Sequence, residues 1–175
     1  MKRLSEYITE ARKAKPNISK IDPLLELIAN IPEKYDPRYM FDVMEAVNDI
    51  TGAGFKRDYE GYYFARIGEY DSSDRGAASD LYLDFDQGYT EYIDHSRTHS
   101  VKKERDTAVV LRIKCLSRSY RVPFLDTDPE RTENIMQLIC DIMNLKIKDL
   151  PRSNFSRRES VEKAVFNLLK KYSLL

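Results

Sequence analysis

The apolar residues of this chain change their spacing twice, from a period near 3.6 to a period of two and back, and that alternation narrows the possible folds more than any other feature. Leu24, Leu25, Leu27 and Ile28, then Met40, Phe41, Val43, Met44, Val47 and Ile50, recur at helical intervals and are read as two core helices. From Tyr63 the period is two. Tyr63, Ala65 and Ile67 alternate, then Leu81, Leu83 and Phe85, then Val109, Leu111, Ile113 and Cys115, then Tyr120, Val122 and Phe124. Helical spacing returns in Ile135, Leu138, Ile139, Ile142 and Met143, and again in Val161, Val165, Leu168, Leu169 and Tyr172. The order predicts an α+β protein: N-terminal helices, a mostly antiparallel sheet of about five strands, and two C-terminal helices.

Local punctuation agrees with this division. Asp-Pro occurs at Asp22-Pro23, Asp36-Pro37 and Asp128-Pro129, each time ahead of a helical pattern. Aspartate accepts from the free N–H groups of a first turn, and proline at the first helical position loses no hydrogen bond. Gly52 is placed to supply a left-handed cap, and Ser156 with Glu159 reads as a capping box that opens the last helix. Residues 71–79 read as a loop, Gly88 as a turn into a strand over Tyr89–Ile93, and the polar segment Asp94–Asp106 as a long exposed loop. The turn near Arg118 makes a hairpin of the strands on either side of it.

At 175 residues the chain has the length of one domain, and a charged fraction of 33% with twelve Tyr describes a globule rather than a disordered chain. Cys115 and Cys140 sit far apart in apolar patterns, which predicts two buried, reduced thiols and no structural disulfide. No apolar run approaches the roughly 20 residues of a membrane span, and the N-terminus lacks the apolar stretch of a secretory signal. The expectation is no membrane partner.

Charge is distributed unevenly. Residues 1–96 carry 12 Lys+Arg against 19 Asp+Glu, a net of −7, and residues 97–175 carry 17 against 10, a net of +7. Either the two regions pack together and neutralise each other, or the surface is bipolar and its basic side holds nucleic acid or an acidic partner. The residues that frame this choice are Asp80, Asp84 and Asp86, which period two sets opposite Leu81, Leu83 and Phe85, and the basic strand set Arg112, Lys114, Arg118 and Arg121. Arg112 and Lys114 share a face, and Arg121 on the returning strand can join them. Facing strands would pair these charges; otherwise they form an acidic or an anion-binding contact surface.

Two weaker constellations concern metals. Asp84 and Asp86 are close carboxylates whose repulsion a cation relieves, and His95 and His99 have the i, i+4 spacing of a zinc pair. Together they would make a metal-dependent phosphoesterase or nuclease, but no helix is predicted at the histidines and no third ligand stands at a diagnostic spacing. The sequence contains no Gly-rich phosphate loop, nucleophile elbow or HExxH motif, and calls for no cofactor.

The opening MKRLSEYITEARK reads as an amphipathic helix, with Leu4, Tyr7, Ile8 and Ala11 on one face and Pro16 ending it. It resembles the capsid-targeting peptide of internal head proteins of large contractile-tailed phages, and Ile8-Thr9-Glu10-Ala11 matches the pattern at which their prohead protease cuts. Residues 1–10 would then be a removable propeptide and 11–175 a single globular α+β domain. The resemblance implies that the prohead scaffold and prohead protease are partners, that Ile8, Glu10 and Ala11 form the processing site, and that the protein passes from the virion interior to the host cytoplasm. Members of that family inhibit host restriction and related defences, and others are ADP-ribosyltransferases, whose arginine and glutamate motifs have no counterpart here. A binding inhibitor of a host defence enzyme is the favoured expectation. A DNA-binding packaging protein using the basic C-terminal half is the second.

Overall fold

The computed structural model describes residues 14–57, 63–66, 81–87, 89–94, 100–105, 108–115, 118–145 and 154–175, with residues 63, 64, 66, 89–94, 100–105 and 154–159 described by their backbone alone. Ile8, Glu10, Ala11, Asp80, His95 and His99 lie outside the described residues. A short 3-10 turn, Ile18–Lys20, leads into helices α1 (Asp22–Ala29) and α2 (Pro37–Thr51). Strands β1 (Lys56–Arg57), β2 (Tyr63–Arg66), β3 (Leu81–Asp86), β4 (Tyr89–Asp94), β5 (Ser100–Arg105), β6 (Val110–Cys115) and β7 (Arg118–Pro123) follow. Helices α3 (Pro129–Met143) and α4 (Asn154–Lys171) complete the α+β order.

The main sheet runs β1-β2-β3-β6-β7 with every neighbour antiparallel. Tyr89–Ile93, expected within that sheet, leaves it: β4 pairs with β5 as a separate two-stranded ribbon. The sheet is smaller than expected by that strand and gains only the two-residue β1. The long loop expected over Asp94–Asp106 is corrected by the same ribbon, because Ser100–Arg105 is β5. A ribbon is held by backbone pairing and needs no buried face, so β5, sequence SVKKER, carries no alternating apolar signal. Its register places Lys103 opposite Glu91.

One contiguous core joins the helices to one face of the sheet. In β3, Leu81, Leu83 and Phe85 are buried, and the register sets them beside Cys115, Ile113 and Leu111 of β6. Helix α2 packs on β3 and α4 on β6, with α3 between α2 and α4. That central position explains why Thr132, Met136 and Cys140 are buried along with the expected apolar stripe of α3. Phe55, Phe85 and Phe124 meet at centroid separations of 4.7 and 6.0 Å, which ties the segment after α2 to β3 and to the segment after β7.

Two of the three Asp-Pro starts behave as the local chemistry requires. Asp36 accepts from the backbone N–H groups of Arg38 at 2.9 Å and Tyr39 at 3.4 Å, and Asp128 accepts from that of Arg131 at 3.0 Å. Asp22 does not cap. The 3-10 turn delivers Ile21 already in the right-handed helical region, so Asp22 is the first helical residue and the cap position falls to Ile21. Ser156 likewise lies on the third residue of α4, inside the helix, and cannot be its N-cap. Gly52 ends α2 at φ 67°, the left-handed conformation that glycine adopts without strain.

Side chains far apart in sequence tie the chain's outlying segments to this frame. Asn144, after α3, accepts from the Ala14 N–H and donates to the Ala14 carbonyl, both at 2.8 Å, and the Asn17 N–H donates to the Ile50 carbonyl at 2.7 Å. Buried Gln87 accepts from the Asp36 N–H at 2.9 Å and donates to the Lys34 carbonyl at 3.1 Å, which fixes the link between α1 and α2. The caps differ in a way urea unfolding can measure. Asp36→Ala and Asp128→Ala should each cost about 1 kcal/mol, and Asp22→Ala no more than about 0.3 kcal/mol.

Candidate functional site

The outer face of the sheet carries the charged residues that the sequence singles out. Asp84 lies opposite Arg112 in β6, and Arg112 lies opposite Arg121 in β7, so the three share that face. Asp84 is 2% exposed, and Arg112 grips it with Nε at 2.5 Å from one oxygen and Nη2 at 3.0 Å from the other. Lys114 Nζ stands 3.5 Å from the second oxygen and 5.5 Å from the centre of the Tyr82 ring. Asp86 adds a looser contact to Arg112 at 3.8 Å. An aspartate removed from water needs such partners, because its desolvation would otherwise exceed what the fold can offset.

This arrangement corrects the reading of Asp84 as a displayed acidic contact. Both its oxygens are already held by cations, and the neutralisation expected between the two halves of the chain takes place here. Arg118 lies apart from this set. It pairs with Cys115 in the register, on the helix-covered side, and its Nε lies 3.9 Å from Glu162 of α4. Among the described residues no group of three or more His, Cys, Asp or Glu side chains is arranged to hold a metal ion, and no helix is long and apolar enough to cross a membrane.

A second feature, absent from the sequence reading, is a groove of about 780 Å³ between α1 and α2. Pro23, Leu27, Tyr39, Phe41 and Ala46 supply apolar surface, and Glu26, Asp42, Glu45 and Asp49 supply four exposed carboxylates with no Lys or Arg among the described lining residues. None of the four has an ion pair among the described residues. Phe41, expected in the core, is 45% exposed. At 100° per residue it begins the stripe that continues through Glu45 and Asp49 and stands at the border of the buried face centred on Val43 and Val47. That stripe was the available signal: a phenylalanine among carboxylates at helical spacing.

The thiols and the C-terminal cluster are structural. Burial, with a smaller contribution from Glu162, pushes the Cys115 thiol up to about 12. Burial, with Asp141 beside it, pushes Cys140 up to about 11, and its Sγ donates to the Thr51 carbonyl. Neither is a nucleophile at neutral pH. Asp141 of α3 accepts from the Tyr172 hydroxyl, from Gln137 at 3.2 Å and from Lys171 at 3.3 Å, which fastens the end of α4 to α3. Burial opposes ionisation of Asp141, but these hydrogen bonds outweigh it and hold its carboxyl below the usual aspartate value.

Compared with protein-family models, curated proteins and solved structures, the chain matches none.

Two stability measurements separate these clusters. Asp84→Asn removes the buried counter-charge shared by Arg112 and Lys114 and should cost about 3 kcal/mol, whereas Asp86→Asn should cost less than about 1 kcal/mol. For Asp141, a lowered folded pKa means that its contribution is complete above the ordinary value of 3.8 and is lost as pH falls through the folded value. The stability gap between the wild-type chain and Asp141→Asn should therefore be widest near neutrality and narrow in acid, as followed by thermal unfolding across pH.

Proposed function

We propose that this chain is a head-packaged phage protein, cut after Glu10 and delivered with the DNA, whose body inhibits a host defence enzyme by binding it through the α1–α2 groove. The observation that carries the binding mode is the groove itself, four exposed carboxylates around an apolar floor with a half-exposed Phe41. Enzymes that handle nucleic acid draw in phosphates with positive potential, and a rim of fixed carboxylates on a rigid helix pair competes for the same potential. The aromatic and aliphatic floor adds the apolar contact on which tight protein interfaces depend. Asp84 and Asp86 are set against Arg112 and Lys114, whereas Glu26, Asp42, Glu45 and Asp49 stand together on α1 and α2 with no ion pair among the described residues.

Delivery is supported by the Ile8-Thr9-Glu10-Ala11 pattern. The packaging-protein reading draws on the whole basic C-terminal half, of which Arg112 and Lys114 are engaged by Asp84.

Phage carrying Asp42→Lys, Glu45→Lys and Asp49→Lys together should package a chain that begins at Ala11, as read by intact mass from purified virions. They should plate about tenfold or more less efficiently than the parent on hosts whose defence the parent evades. A chain missing from virions would end the delivery reading, and unchanged plating would end the role of the groove.

A further inference from the structure

We infer that the α1–α2 groove of one chain takes the outward ridge of α4 from a second copy, so that the protein associates head to tail. The inference concerns the groove already described but a different partner, and it stands without delivery or a host target.

The ridge is built on α4. Val161, Val165 and Leu169 are buried, which turns Lys163, Phe166 and Lys170 outward at intervals of i, i+3 and i+7. All three are exposed, and Lys170 Nζ stands 5.6 Å from the centre of the Phe166 ring. Neither lysine has an ion pair among the described residues, whereas the charges beside them are already set, Glu162 against Arg118 and Lys171 against Asp141. What α4 presents is a phenylalanine, 37% exposed, between two ammonium groups.

The groove repeats that spacing with the opposite sign. Asp42, Glu45 and Asp49 stand at i, i+3 and i+7 on α2, and Glu26 lines the other bank on α1. Seven residues of helix rise roughly 10 Å in both stripes, so a docked α4 running either way along α2 sets one lysine near each end of the acidic row. Phe166, between them, then meets the apolar surface of Leu27, Phe41 and Ala46. The match is that of an amphipathic helix in a groove, with apolar contact in the middle and opposite charges at the rim.

One chain does not satisfy itself. With α3 between α2 and α4, groove and ridge occupy separate parts of the surface, and the match is available only between copies. Each chain then offers one groove and one ridge, a heterologous contact that adds copies in series rather than pairing two about a symmetry axis. A ridge of about two helical turns covers less than the roughly 1,000 Å² of a permanent interface, so the association is weak, concentration-dependent and sensitive to salt.

Sedimentation velocity of the full chain tests this. At low salt the weight-average sedimentation coefficient should rise with concentration without levelling at a dimer, and the association should weaken about tenfold or more on going to about 0.5 M salt. A groove variant, Asp42→Lys with Glu45→Lys and Asp49→Lys, and a ridge variant, Lys163→Gln with Phe166→Ser and Lys170→Gln, should each stay monomeric when alone. Mixed, the intact ridge of the first and the intact groove of the second should restore a complex that stops at one of each, which misfolded variants could not do. A wild-type chain that stays monomeric at low salt overturns the inference, as does a single variant that still associates or a mixture that does not. Phage carrying the ridge variant keep the groove, so their plating separates loss of self-association from loss of the host target.

Discussion

The antiparallel register between β3 and β6 is the constraint on which the rest of the structure depends. Six consecutive pairs, from Leu81 with Cys115 to Asp86 with Val110, decide at once what is buried and what is neutralised. On one side they assemble the apolar floor on which α2 and α4 lie. On the other they bring Arg112 against Asp84. A slip of one residue would turn Asp84 into the apolar core and Leu83 out of it, so hydrophobic burial and charge pairing specify the same alignment.

From that alignment the acidic surface is decided by elimination. The carboxylates of β3 sit among cations supplied by β6, but α1 and α2 turn their far sides away from that framework. Their core residues, Leu24 and Ile28 in one helix and Val43 and Val47 in the other, take up the inward faces. The acids on the remaining stripes have no basic strand beside them, and a groove lies between the two helices. Gln87, the Asp36 cap and the Tyr39 hydroxyl bonded to the Leu27 carbonyl at 2.7 Å keep the helix pair rigid, so the groove is a preformed surface.

By itself the sequence determined the elements and the chemistry local to them: the change of period that marks helices and strands, Asp36 and Asp128 as caps, Gly52 as a left-handed end, and two buried thiols. These depend on neighbours within a few residues, where spacing and side-chain type are sufficient. Only the tertiary structure decided that Tyr89–Asp94 leaves the main sheet for a ribbon with Ser100–Arg105, because a polar ribbon is written in backbone pairing and not in apolar alternation. It alone turned Arg118 towards Glu162 while Arg121 stayed beside Arg112, since a strand's faces are assigned by its partner's register. It placed Asp22 inside α1, where a preceding 3-10 turn had already set the backbone helical. It also exposed Phe41 and enclosed Asp84, because burial depends on which elements come to rest against a residue and not on that residue's own polarity.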